Sequence, residues 1–169
     1  MRYTTKAQRG SPSRDRFKHL HKQMLPKEAW ALDVDLELVA KYPFPFVVAR
    51  IDFKLPNDSI SFTEALSYQN CLDLPEPHAV PVYIVESNED FGRADSPVDS
   101  HRFSVFRLVW ADYKPFPPTF KLELVAGDLD WRGLSQWEMD LRTGRQREMA
   151  AWARQARRQT REQAIAYVI

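Results

Sequence analysis

Two short stretches constrain this chain most, Leu32-Asp33-Val34-Asp35-Leu36-Glu37-Leu38 and Ala49-Arg50-Ile51-Asp52-Phe53-Lys54, because apolar and polar residues alternate strictly in both. A period of two is the signature of a β-strand with one face on a core. The first stretch predicts a strand over residues 29–39, with Leu32, Val34, Leu36 and Leu38 on one face and Asp33, Asp35 and Glu37 on the other. The second sets Arg50, Asp52 and Lys54 against Ala49, Ile51 and Phe53. Between them, Lys41-Tyr42-Pro43-Phe44-Pro45 lacks two amide donors and cannot continue a ladder, so it reads as a connection. A hairpin across it would bring the two polar faces side by side.

The other elements are read in the same way. Phe17, Leu20, Met24 and Leu25 recur at helical spacing ahead of Pro26, which predicts a short amphipathic helix. Ser61-Phe62-Thr63-Glu64 has the S-x-x-E form of a capping box and opens a helix to about Leu72. Three strands follow at VPVYIVE, HRFSVFRLVW and TFKLELV. The last third is predicted helical from about Leu134, broken near Thr143-Gly144, and Arg-rich at its end. The expected class is α/β (α+β), a central mixed β-sheet flanked by helices. Residues 1–13 read as a flexible basic arm, 14–133 as the core and 134–169 as a helical extension.

With 169 residues, 44% of them hydrophobic, one domain with a substantial core is expected. Cys71 is the sole cysteine, so no internal disulfide forms and a cytoplasmic location is expected. No run approaches the roughly 20 apolar residues of a membrane span. The formal charge of +1 hides a segregation: residues 1–28 hold eight basic against two acidic residues and 142–169 seven against two, while the middle carries nine against nineteen. Basic ends could track a phosphate backbone, with Arg14, Arg16, Lys18, Arg154, Arg157 and Arg158 as the contacts. Two solvated helix faces explain the same charges equally well.

The acidic centre is suited to phosphodiester hydrolysis, which needs divalent cations to offset phosphate charge and activate water. Asp35 and Asp52 would hold Mg²⁺ or Mn²⁺ together with the Phe53 carbonyl, Asp33 would assist, and Lys54 would orient the attacking water. The pieces LDVDLELV and ARIDFK, 17 residues apart from Asp35 to Asp52, resemble the PD-(D/E)XK nuclease superfamily. That resemblance covers roughly residues 14–110 and implies a restriction endonuclease-like fold, a nuclease-like core over 14–133 and a metal-dependent nuclease acting on DNA. Val34 stands where the family places a proline that is no metal ligand, and either Asp33 or Asp35 fits the first acidic position. Some family members carry a Gln and a Tyr on the following helix, which makes Tyr68 and Gln69 auxiliary candidates. Two alternatives stay open. One is a non-catalytic nucleic-acid- or protein-binding module that keeps the fold; the other is a scaffold whose C-terminal helix, with Trp152 and Ile165, docks a partner or forms a homodimer.

Overall fold

The computed structural model of the protein describes residues 16–17, 19–20, 23, 30–32, 37–55, 58–88, 97–111 and 119–166, the backbone alone for 30–32 and 161–166. Six strands form one sheet in chain order: β1 (Trp30–Leu32), β2 (Glu37–Ala40), β3 (Phe46–Lys54), β4 (Val82–Ser87), β5 (Phe103–Trp110) and β6 (Phe120–Leu129). All neighbours are antiparallel except β3 and β4. Parallel strands need a crossover, and helix α1 (Phe62–Leu72) supplies it. The architecture is α+β, a mixed sheet with α1 on one face and the long C-terminal helix α2 (Trp131–Ala166) on the other. Arg16, Phe17, His19, Leu20 and Gln23 are helical, as the spacing ahead of Pro26 requires. No helix among the described residues is long and apolar enough to cross a membrane.

The capping box forms as expected: Ser61 Oγ accepts from the Glu64 amide at 3.2 Å, and Glu64 Oε2 accepts from the Ser61 amide at 2.7 Å. Two other expectations are corrected. In place of the single strand over 29–39 there are two strands paired antiparallel with each other, Trp30 opposite Val39 and Leu32 opposite Glu37. Alternation reports the pleat but not the direction of travel, and pairing β1 on β2 gives the outer edge of β2 its hydrogen-bond partners. The break near Thr143-Gly144 is absent, and α2 runs unbroken for 36 residues. An interior glycine costs a helix only about 1 kcal/mol, and burial of Leu134, Met149 and Ala150 on either side outweighs it. The helix opens at Trp131, not Leu134, because Asp130 Oδ1 accepts from the Gly133 amide at 2.6 Å and caps it there.

A Cβ placed on Gly144 would meet nothing within 4 Å. Gly144→Ala is therefore expected to stabilise the protein by about 0.5–1 kcal/mol, since it removes only backbone freedom. A lower urea midpoint for the variant would contradict this.

The sheet buries both faces. On the α2 side, Ile51, Phe53, Val85, Phe103 and Val105 pack with Phe17, Trp131 and Leu134. On the α1 side, Val82, Ile84, Leu108 and Phe120 pack with Ile60, Ala65 and Tyr68. Beyond Ala150 the described side chains of α2 are exposed or half-buried, including Arg154, Arg157 and Arg158. Trp152 is exposed and meets the rings of Phe44 and His78 edge-on.

Candidate functional site

Strand alternation puts Arg50, Asp52 and Lys54 on the α1 face of β3, where α1 lies across them. The helix presents Glu64, Ser67, Tyr68 and Cys71, whose three- and four-residue spacing is that of one helical face. The two polar stripes join. Lys54 Nζ lies 2.8 Å from Glu64 Oε1 and 3.0 Å from Asp52 Oδ2. The Tyr68 hydroxyl donates to Asp52 Oδ2. Arg50 Nη1 donates to Ser67 Oγ at 2.6 Å and to Cys71 Sγ at 3.7 Å.

This layer is buried. Asp52 is 5% and Lys54 2% exposed, so the pair is not the solvated surface pair that alternating charge usually signals. Burying ions without water is costly, and the convergence of two carboxylates on one ammonium, with the Tyr68 phenol donating to one of them, offsets that cost. Glu64, with 21% of its side chain exposed, is the member that reaches toward solvent.

Burial pushes the Asp52 carboxyl above its ordinary value; the Lys54 ammonium and the Tyr68 hydroxyl pull it down, and Glu64 adds to the upward push. Glu64 moves the other way. Burial opposes its ionisation, but hydrogen bonds from Lys54 and the Ser61 amide, with the Lys54 charge, hold it below the ordinary range. Glu86, in register with Lys54 across β3 and β4, is pushed up by burial and then by Asp58.

The two signs separate by pH. A raised Asp52 contributes stability at pH below its unfolded value, near 4, which is lost as pH rises through the folded value. A lowered Glu64 contributes stability above its unfolded value, lost as pH falls through the folded one. Asp52→Asn should accordingly gain stability relative to wild type as pH climbs above about 4, while Glu64→Gln should lose it as pH climbs from acid toward about 4.5 and change little beyond. Urea titrations at several pH values measure both, and a flat difference for Asp52→Asn would refute the assignment.

Of the residues proposed from sequence, the structure brings Asp52, Lys54 and Tyr68 together. Asp33, Asp35, Arg14 and Lys18 lie outside the described residues. Gln69 turns its amide to Asp73, at 3.4 Å, rather than into the site. The Arg50 amide donates to Pro81 O, so the even-numbered peptides of β3 face β4 and the Phe53 carbonyl faces the β2 side, past the last described β2–β3 pair, Glu37 with Arg50. Arg16 is half-buried in the N-terminal helical segment. His101 is fully buried, and its Nδ1 accepts from Trp131 Nε1 at 3.0 Å.

Sequence reasoning missed Glu64 as a site residue. Its capping role accounts for one carboxylate oxygen, and the other binds Lys54. The signal was the polar stripe 64, 67, 68 and 71 on a helix that follows a strand with polar residues at 50, 52 and 54. Among the described residues, two carboxylates converge here and no group of three acidic, His or Cys residues does. No family model, curated protein or solved structure matches the chain.

Proposed function

We propose that the protein is a divalent-metal-dependent nuclease hydrolysing phosphodiester bonds, in DNA, on a restriction endonuclease-like core. One observation carries the reading: the carboxylates of Asp52 and Glu64 converge within 3.0 Å of the Lys54 ammonium where α1 covers the polar face of β3. The element order supports it, a helical segment, three antiparallel strands, a crossover helix and a strand parallel to the third.

The donors present are hard oxygens, which fit Mg²⁺ or Mn²⁺. Asp52 and the Phe53 carbonyl would hold the ion with Asp35, and Asp33 would add charge. When bound, the metal supplies an activated water and offsets phosphate charge. Lys54 would hold the attacking water or a phosphate oxygen through its ammonium. Tyr68 fixes the Asp52 carboxylate by its hydroxyl, and Glu64 holds the Lys54 ammonium in place. The exposed Arg154, Arg157 and Arg158 would meet phosphates along α2, and the same helix offers a surface for a second copy or a protein partner. A cytoplasmic setting, where Cys71 stays a thiol, suits this reading.

A second reading, a non-catalytic nucleic-acid- or protein-binding module on the same core, is favoured by the burial of Lys54 beneath α1, which keeps its ammonium from any substrate unless the helix shifts. A cleavage assay on linear, circular and single-stranded DNA with Mg²⁺ or Mn²⁺ separates the two. For the nuclease, cutting stops with EDTA and in Asp52→Asn, a variant that keeps the shape of the side chain and an acceptor for Tyr68. Salt-sensitive DNA binding that persists in both, without cutting of any form, would establish the second reading and end the first.

A further inference from the structure

A cleft of about 560 Å³ opens where β4 begins, at the opposite end of the sheet from Lys54, between the β4–β5 face and the middle of α2. Its width follows from the sequence of the helix: Gly144 faces the cleft with no side chain, and nothing lies within 4 Å of where a Cβ would stand.

Tyr83 and Arg107 stand opposite each other in the ladder and both line this space. Tyr83 is 8% exposed, its ring edge-on to Trp137 at 5.1 Å, and its hydroxyl has no hydrogen-bond partner among the described residues. The ring is packed while the hydroxyl opens on the cleft, where it is free to donate to a ligand. The Arg107 side chain likewise makes no hydrogen bond or ion pair with a described residue. From the helix comes Arg145, pinned by Nη2 to the carbonyls of Ala79 at 3.0 Å and Pro77 at 3.3 Å and by Nη1 to Glu148 at 2.8 Å. The cleft therefore offers two guanidinium groups, Arg145 fixed and paired with Glu148 and Arg107 uncommitted, with the Glu76 carboxylate also at its lining. Leu141 and Val109 line the remainder on this face, with Leu72 and Trp110 at the end of the sheet.

We propose that this cleft binds a small organic anion whose phosphate or carboxylate is held by Arg107 and the Tyr83 hydroxyl and whose flat ring lies against the apolar walls. Guanidinium and phenol donors recognise such oxyanions by charge-assisted hydrogen bonds, and the volume is within the range of metabolite pockets. The site shares no residue with the Asp52–Lys54 cluster, so it stands or falls independently of the nuclease reading.

Isothermal titration of the full chain with adenosine 5′-monophosphate, benzoate and inorganic phosphate tests it. Saturable binding of the monophosphate or of benzoate is expected, and which of them binds identifies the anionic group. Arg107→Ala and Gly144→Phe should each weaken it by about tenfold or more. Arg107 is exposed and the Gly144 site is empty, so both variants should unfold at the wild-type midpoint or above it. Tyr83→Phe should weaken binding less. No binding of the two ring-bearing probes at millimolar concentration, or binding indifferent to both Arg107→Ala and Gly144→Phe, overturns the proposal.

Discussion

Lys54→Ala is expected to lower the stability of the protein by about 3–5 kcal/mol at neutral pH, the usual cost of removing one partner from a buried ion pair. Lys54 is 2% exposed, and its ammonium is the cation on which Asp52 Oδ2 and Glu64 Oε1 converge. Without it two carboxylates face each other, one of them 5% exposed and already pushed toward its neutral form by burial. On a polar face open to water the same pair would contribute only about 0–1 kcal/mol.

The mechanism has its own control. Replacing the whole cluster by neutral residues of similar shape, Lys54→Met with Asp52→Asn and Glu64→Gln, removes the uncompensated charges along with the ammonium. This triple variant should recover most of what Lys54→Ala loses. Urea unfolding at pH 7 measures all three proteins. A single variant within about 1 kcal/mol of wild type, or a triple variant no more stable than the single, would show that the layer is not held together by its charges.

The second large effect lies on the other face of the sheet. Phe17→Ala is expected to cost about 3–5 kcal/mol, the range for truncating a well-packed aromatic side chain. Phe17 is 1% exposed, stacked on Phe53 with ring centroids 4.1 Å apart and planes 13° from parallel, and it touches Trp131 at 5.6 Å and Phe103 at 6.1 Å. Those partners come from β3, β5 and α2, so one side chain ties the N-terminal helical segment to three elements distant in sequence. Its loss leaves a cavity that these rigid elements fill only in part. A cost below about 1 kcal/mol, measured by chemical denaturation, would mean that the segment is an appendage and not part of the core.

Much of this was written locally. The Ser61–Glu64 capping box, the β-period of residues 49–54 and the helical spacing of Phe17 and Leu20 each depend on residues within a few positions of one another, and each appears in the structure. Tyr68 was legible as a candidate, and Glu64 was legible only as a cap. What failed depended on distant partners. Residues 29–39 carry one alternating pattern, yet Trp30–Leu32 and Glu37–Ala40 are two paired strands, because the period is the same whichever way the chain travels. Thr143-Gly144 reads as a helix stop, yet α2 continues because burial on either side of it exceeds the local cost of glycine.

Local spacing alone puts Arg50, Asp52 and Lys54 on one face of a strand and Glu64, Ser67, Tyr68 and Cys71 on one face of a helix. The packing of α1 on β3 is what makes these faces meet, with Lys54 between two carboxylates and away from water. The physical reason is that periodicity is a property of the backbone of a single element. The dielectric around a charge, and with it the difference between a surface pair of small effect and a buried one of large effect, depends on what packs over it.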